Sequence, residues 1–89
     1  MRFPLTHADA QPLRDLARLT IRHRVPADQL CPFVDNLTAR SLVELSAPCR
    51  ELVRFIGGSF VNCNPIHVAA LLRGFAQHAE LPMTVTLSN

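Results

Sequence analysis

Lysine, tryptophan and tyrosine are absent from this chain, and glycine occurs only three times. All nine basic residues are therefore arginines, and against seven acids they leave a formal net charge of +2. That excess is small for a dedicated nucleic-acid-binding domain, whose electrostatic footprint is a strongly basic face. The lysine deficit is most simply the codon bias of a GC-rich bacterial genome, although arginine does favour bidentate and stacked contacts over diffuse charge. Charge of either sign is also scarce: 18% of residues are charged and 48% are apolar, a balance that excludes a disordered tail. Long apolar runs are missing as well. Arg, Asp, Glu, Asn or Pro interrupts every candidate stretch short of the roughly 20 residues that span a bilayer, so no membrane span is expected. The N-terminal stretch has no continuous apolar segment and meets an acid at Asp9, so it does not read as a secretory signal and the expected location is cytoplasmic.

Cysteine is limited to Cys31, Cys49 and Cys63, an odd number with no Cys-x-x-Cys pair. In a reducing compartment these are small buried apolar groups, the alternatives being one internal or one intermolecular disulfide. At 89 residues the chain is expected to be one domain, residues 1–89, because units below about 50 residues rarely hold a core unaided. No internal repeat, low-complexity tract or linker divides it.

What the chain does have is proline, at seven positions, and each marks a boundary. Asp9 is placed to cap a first helix from about Ala10 to His23, with Pro12 in its first turn, where a missing N–H costs nothing. Leu13, Leu16, Ala17, Thr20 and Ile21 make its inward stripe at spacings of three and four, and Val25-Pro26 ends it. Residues 27–45 are helical in composition but interrupted by Pro32, which predicts a short turn and then a longer piece. Leu30, Phe33, Val34 and Leu37 face inward there, and a restart at Thr38 continues the apolar face through Leu42 and Leu45. Ser46 before Ala47-Pro48 predicts an N-cap and a helix to about Ile56, with Cys49, Leu52, Val53, Ile56 and Phe60 as its stripe and Gly57-Gly58 as its stop. Residues 59–63 suit a strand or a loop. Asn64-Pro65 opens the most regular helix, residues 65–81, with Val68, Leu71, Leu72, Phe75, Ala76 and Ala79 on one face and His67, Arg73, Gln77 and Glu80 on the other. Pro82 stops it, and the alternation Met83-Thr84-Val85-Thr86-Leu87 predicts a strand whose backbone needs a partner. The expected fold class is mainly α: a small bundle of three to four helices with a short C-terminal β-strand.

Catalytic chemistry finds little footing in this pattern. No cysteine sits in a nucleophile turn, the helical stripe already accounts for Cys49, and the acids occupy polar faces without a matched pair, so no enzyme activity is expected. Cys63 and His67 are the nearest approach to a metal site, but two ligands do not make one, and His78 lies about 16 Å further along the same helix. No metal and no cofactor is expected. For nucleic acid, Arg14, Arg18 and Arg22 recur every four residues on the first helix and are extended by Arg24, a stripe that would suit a small DNA-binding regulator. A helix-turn-helix around Gly57 fails on spacing, because eight residues run from Gly57 to Asn64 where three or four are usual. The helix after it opens Pro65-Ile66-His67-Val68, with few side chains able to read a base edge.

Protein binding has the better compositional argument. A domain of this size removes only about two thirds of its surface from water, so some of its abundant apolar area stays outside. Phe3, Phe55, Phe60, Val61 and Met83 are the residues expected there, completion of the core being the alternative, above all for Phe60. The expected partner-binding set is Phe55, Phe60 and Val61 with Arg50 and Arg54 at the rim. Met83, Val85 and Leu87 are the expected contacts of a homodimer formed through the terminal strand. In size, helical layout and the segment Cys49-Arg50-Glu51-Leu52-Val53-Arg54-Phe55-Ile56-Gly57-Gly58, the chain resembles the small proteobacterial quorum-sensing antiactivators of the QslA type. That resemblance implies a LuxR-type transcription factor as partner, held off DNA through its dimerisation surface, with no catalysis involved. The function expected is that of a small, non-catalytic, cytoplasmic bacterial regulator that binds another protein. The alternative is a DNA-binding regulator using the arginine stripe.

Overall fold

The computed structural model describes residues 3–80. They form four helices: α1 (Ala10–Arg22), α2 (Leu30–Ala39), α3 (Ala47–Ser59) and α4 (Pro65–Glu80). Short 3-10 turns at His7–Asp9 and Ala27–Gln29 lead into α1 and α2. The chain is thus the mainly α bundle that its periodicity predicts, and the strand expected at residues 83–87 lies outside the described residues. No helix among the described residues is long and apolar enough to cross a membrane.

The core is built from one stripe per helix. α1 packs chiefly on α4, and α2 on α3. Leu13, Leu16, Ala17 and Thr20 face inward from α1, and Val68, Ala69, Leu72, Ala76 and Ala79 from α4. The alanines on both sides of that contact let the helix axes approach closely, as ridges-into-grooves packing requires. Leu30, Val34 and Leu37 come from α2, and Cys49, Leu52, Val53 and Ile56 from α3. Thr20 is fully buried, and its hydroxyl donates to the Ala17 carbonyl at 2.8 Å, so the polar group costs the core nothing. On α4 the stripe turns slightly from its expected face: Ala69 is in the core, while Leu71 and Phe75 are half-buried at its edge.

Two helix starts follow the sequence closely. The Ser46 side chain accepts from the Cys49 N–H at 3.3 Å, with Pro48 in the first turn of α3, and Asn64 accepts from the His67 N–H at 2.9 Å ahead of Pro65. Asp9 behaves differently from the cap it was expected to be. It does precede α1, but it has helical backbone angles and its side chain makes no capping bond to α1. Pro32 does not break α2, because it occupies the first turn, whose N–H groups have no intrahelical acceptor.

The helix stops depart further from expectation. α1 and α2 both end in Schellman motifs: Val25 N–H bonds the Thr20 carbonyl and Arg24 N–H that of Ile21, while Leu42 N–H bonds Leu37 and Ser41 N–H bonds Thr38. The left-handed residue is Arg24 (φ 53°) in the first and Ser41 (φ 58°) in the second, positions where glycine is the usual occupant. α2 therefore ends at Ala39 rather than restarting at Thr38, and Leu42 is 61% exposed. Ile21, also expected inside, is 42% exposed, since it sits roughly 90° around the helix from the centre of the buried stripe. Gly57 and Gly58, expected to stop α3, lie within it, and neither has positive φ. Gly57 serves close packing instead: a Cβ there would stand 3.0 Å from the Cys31 Sγ and 3.4 Å from the Ala27 carbonyl oxygen.

Candidate functional site

Four of the five phenylalanines meet on one side of the bundle. The ring of Phe3, in the segment before the first turn, lies 5.5 Å from Phe55 on α3 and 6.1 Å from Phe75 on α4. Phe55 in turn lies 5.8 Å from Phe60, edge to face at 85°. Separations and tilts of this kind match the preference of aromatic quadrupoles for edge-on or tilted contact. All four rings are half-buried, packed against the core without being enclosed by it. Beyond Phe60 the chain turns towards α4, leaving Val61 50% exposed and Ile66 67% exposed. The arrangement is a ladder of aromatic edges with the solvated Val61 next to Phe60 in the chain, a surface suited to burial against another apolar surface.

Of the residues expected to bind a partner, Phe55 and Phe60 are brought into contact, and Val61 follows Phe60 directly. The two arginines do not form one rim. Arg54 is exposed and paired with Glu51 at 3.3 Å, an interaction worth at most a few tenths of a kcal/mol at such exposure. Arg50 lines a separate groove together with Asp9, Glu44 and Ser46, as a spacing of five residues, roughly 140° around the helix from Phe55, dictates. Met83, Val85 and Leu87, the expected dimer contacts, lie outside the described residues.

The arginine stripe is largely engaged within the chain. Arg14 reaches Glu80 at 2.5 Å, joining the start of α1 to the end of α4, and Arg18 reaches Asp15 at 2.5 Å. The Glu80 partner raises the Arg14 guanidinium's pKa, and Arg14 holds the Glu80 carboxyl below its usual value. Only Arg22 of the three has no ion-pair partner among the described residues.

A polar hub that the sequence reading did not anticipate ties the N-termini of α1 and α3 together. The Asp9 carboxylate, 5% exposed, accepts from the Thr6 N–H at 2.7 Å and from the Ser46 hydroxyl at 2.9 Å. Burial alone would raise its pKa, but those donors, together with the Cys49 thiol, outweigh desolvation and hold it below the ordinary aspartate value. The local signal for half of this hub was present in Thr6-His7-Ala8-Asp9, the spacing of a capping box. Cys49 itself is fully buried, and burial, reinforced by the Asp9 charge, pushes its thiol up to about 11. All three cysteines are free thiols, with Cys31 and Cys63 half-buried. A thiol reagent is therefore expected to modify Cys31 and Cys63 in the native protein while Cys49 reacts only at the rate of global unfolding. Three equally fast reactions, followed by mass spectrometry, would contradict this. Among the described residues no three His, Cys, Asp or Glu side chains stand close enough together to hold a metal ion. No family model matches the chain, and neither does a curated protein nor a solved structure.

Proposed function

We propose that this chain is a small, non-catalytic regulatory protein that acts by binding another protein, in the manner of an antiactivator that blocks dimerisation or DNA binding of a transcription factor. The observation that carries this reading is the half-buried ladder Phe75–Phe3–Phe55–Phe60 with the exposed Val61 following Phe60. Aromatic anchors of this kind dominate binding energy when a partner desolvates them fully. A receptor that dimerises through an apolar face would be held inactive by losing that face to this one, and a LuxR-type regulator is the concrete candidate. Self-association through residues 83–87 belongs to the same proposal. DNA binding through α1 is the weaker reading, because Arg14 and Arg18 already carry carboxylate partners.

Recovery of the tagged chain from its host's lysate, after nuclease treatment and in high salt, is expected to yield one protein at near-stoichiometric level. Adding the purified chain should then release that protein from its operator in a gel-shift assay. Phe60→Asp and Val61→Asp are each expected to weaken the complex at least thirtyfold, about 2 kcal/mol, with the helical circular dichroism retained. Val61 is the safer of the two, being half exposed. If the chain emerges alone under these conditions but carries nucleic acid when nuclease and salt are left out, the DNA-binding reading replaces this one.

A further inference from the structure

Two of the large hydrophobics that the bundle leaves in solvent do not belong to the aromatic side. Ile21, 42% exposed, and Leu42, 61% exposed, line a shallow groove between α1 and the loop that follows α2, together with Leu19, Val43, Arg18 and Arg22. Both exposures follow from the Schellman stop at Ser41, which ends α2 early and turns Leu42 outward, and from Ile21 lying on the flank of its helix. The one acid in the groove, Asp15, is already bound by the Arg18 guanidinium at 2.5 Å and by the Gln11 amide at 3.0 Å. Arg18 nevertheless keeps 75% of its side chain exposed, and Arg22 has no carboxylate partner among the described residues. Glu44 and Arg50 belong to the adjoining groove. The surface therefore combines solvated aliphatic groups with one guanidinium, that of Arg22, that no carboxylate holds among the described residues.

The geometry points to this groove as the docking site of an acidic amphipathic protein segment, one that sets two apolar side chains against Ile21 and Leu42 and offers a carboxylate to Arg22. A nucleic-acid backbone would satisfy the arginines but leave the aliphatic groups without a partner, whereas a basic or neutral segment would leave Arg22 unpaired. Arginine forks recognise carboxylates bidentately, and the apolar contacts supply the non-directional part of the affinity. This site rests on the reading that the chain acts by binding protein, but it lies on a different face from the aromatic ladder, so the two can fail separately.

The test uses the full chain and two fluorescein-labelled twelve-residue peptides of alternating Glu-Glu and Leu-Leu pairs, the second with Lys in place of Glu, followed by fluorescence anisotropy. The acidic peptide is expected to bind at least tenfold tighter than its lysine counterpart. Arg22→Glu and Leu42→Ser, both at exposed positions, should each weaken it at least tenfold with circular dichroism unchanged, while Phe60→Asp leaves it intact. Absence of binding, equal binding of the two peptides, or displacement by a short DNA duplex at lower concentration than by unlabelled acidic peptide would overturn the assignment. Sensitivity to Phe60→Asp without sensitivity to Leu42→Ser would overturn it too, returning the site to the aromatic face and leaving the protein-binding proposal standing.

Discussion

Replacing Asp9 by alanine is expected to destabilise the fold by about 2–4 kcal/mol, because the substitution removes a buried carboxylate that accepts two charge-assisted hydrogen bonds. The Thr6 N–H and the Ser46 hydroxyl both end on this carboxylate, at 2.7 and 2.9 Å. The Ser46 bond spans 37 residues of chain, and it is made by the same hydroxyl that accepts the Cys49 N–H to cap α3. Loss of Asp9 therefore frees the entry to α1 and loosens the orientation of the α3 cap at once. A domain of this length has roughly 4–13 kcal/mol of total stability, so the expected fall in Tm is roughly 10–30 °C. Urea titration followed at 222 nm measures it, and a loss below 1 kcal/mol would mean that water replaces the carboxylate at little cost.

The same hub sets the acid limb of stability. With its carboxyl held below the ordinary aspartate value of 3.8 in the folded state, Asp9 contributes a stabilisation that is fully present above that pH. It is lost as the pH falls through the lower, folded value. Asp9→Asn keeps the shape and one acceptor but does not titrate. Its deficit relative to the wild type should be constant from neutrality down to about pH 5 and should shrink on further acidification below 3.8. Glu80, also lowered by its Arg14 partner, acts in the same direction, so the comparison is best made in a Glu80→Gln background. A gap that stays constant to pH 2 would place the effect in packing rather than in charge.

Much of the bundle is legible because helix starts are local. Ser46 and Asn64 need only a side-chain oxygen and an N–H three residues later, and sequence displays both at once. Helix stops are less so, since Arg24 and Ser41 take a left-handed conformation that their residue types disfavour by roughly 1–2 kcal/mol. The hydrogen bonds of two Schellman turns and, in the first, burial of Val25 offset that cost. Gly57 illustrates the converse: its type suggests a stop, yet what selects the absence of a Cβ is the approach of Cys31 and Ala27 from another part of the chain. The candidate site follows the stops rather than the starts. Phe55 and Phe60 are five residues apart, a spacing that would part them by roughly 140° on a continuous helix, and they meet because the chain leaves the helical path at Phe60. Phe3 and Phe75 join them only through the tertiary fold. Composition says that apolar area must remain outside, but it does not say that Ile21 and Leu42 supply part of it.

Leu72→Ala should be the most damaging of the single core substitutions considered, at about 3–5 kcal/mol, because Leu72 is fully buried in the middle of α4 and its removal adds a cavity cost to the lost transfer energy. Ala76, one turn later and equally buried, has the opposite constraint. Ala76→Leu inserts three carbons into the face that α4 presents to α1 and is expected to cost about 1–3 kcal/mol by overpacking. Leucine is nearly as good a helix former as alanine, so neither effect arises from propensity. Helical side chains lean towards the N-terminus, which directs a leucine at 76 over the turn that carries residue 72. The double variant Leu72→Ala/Ala76→Leu, close to conserving volume, should therefore lose at least 1 kcal/mol less than the sum of the two single losses. Denaturant titration of the four proteins closes the cycle. A double variant as unstable as that sum, or more so, would show that the α1–α4 contact cannot repack and that its alanines are fixed by backbone approach rather than by the volume available to the side chains.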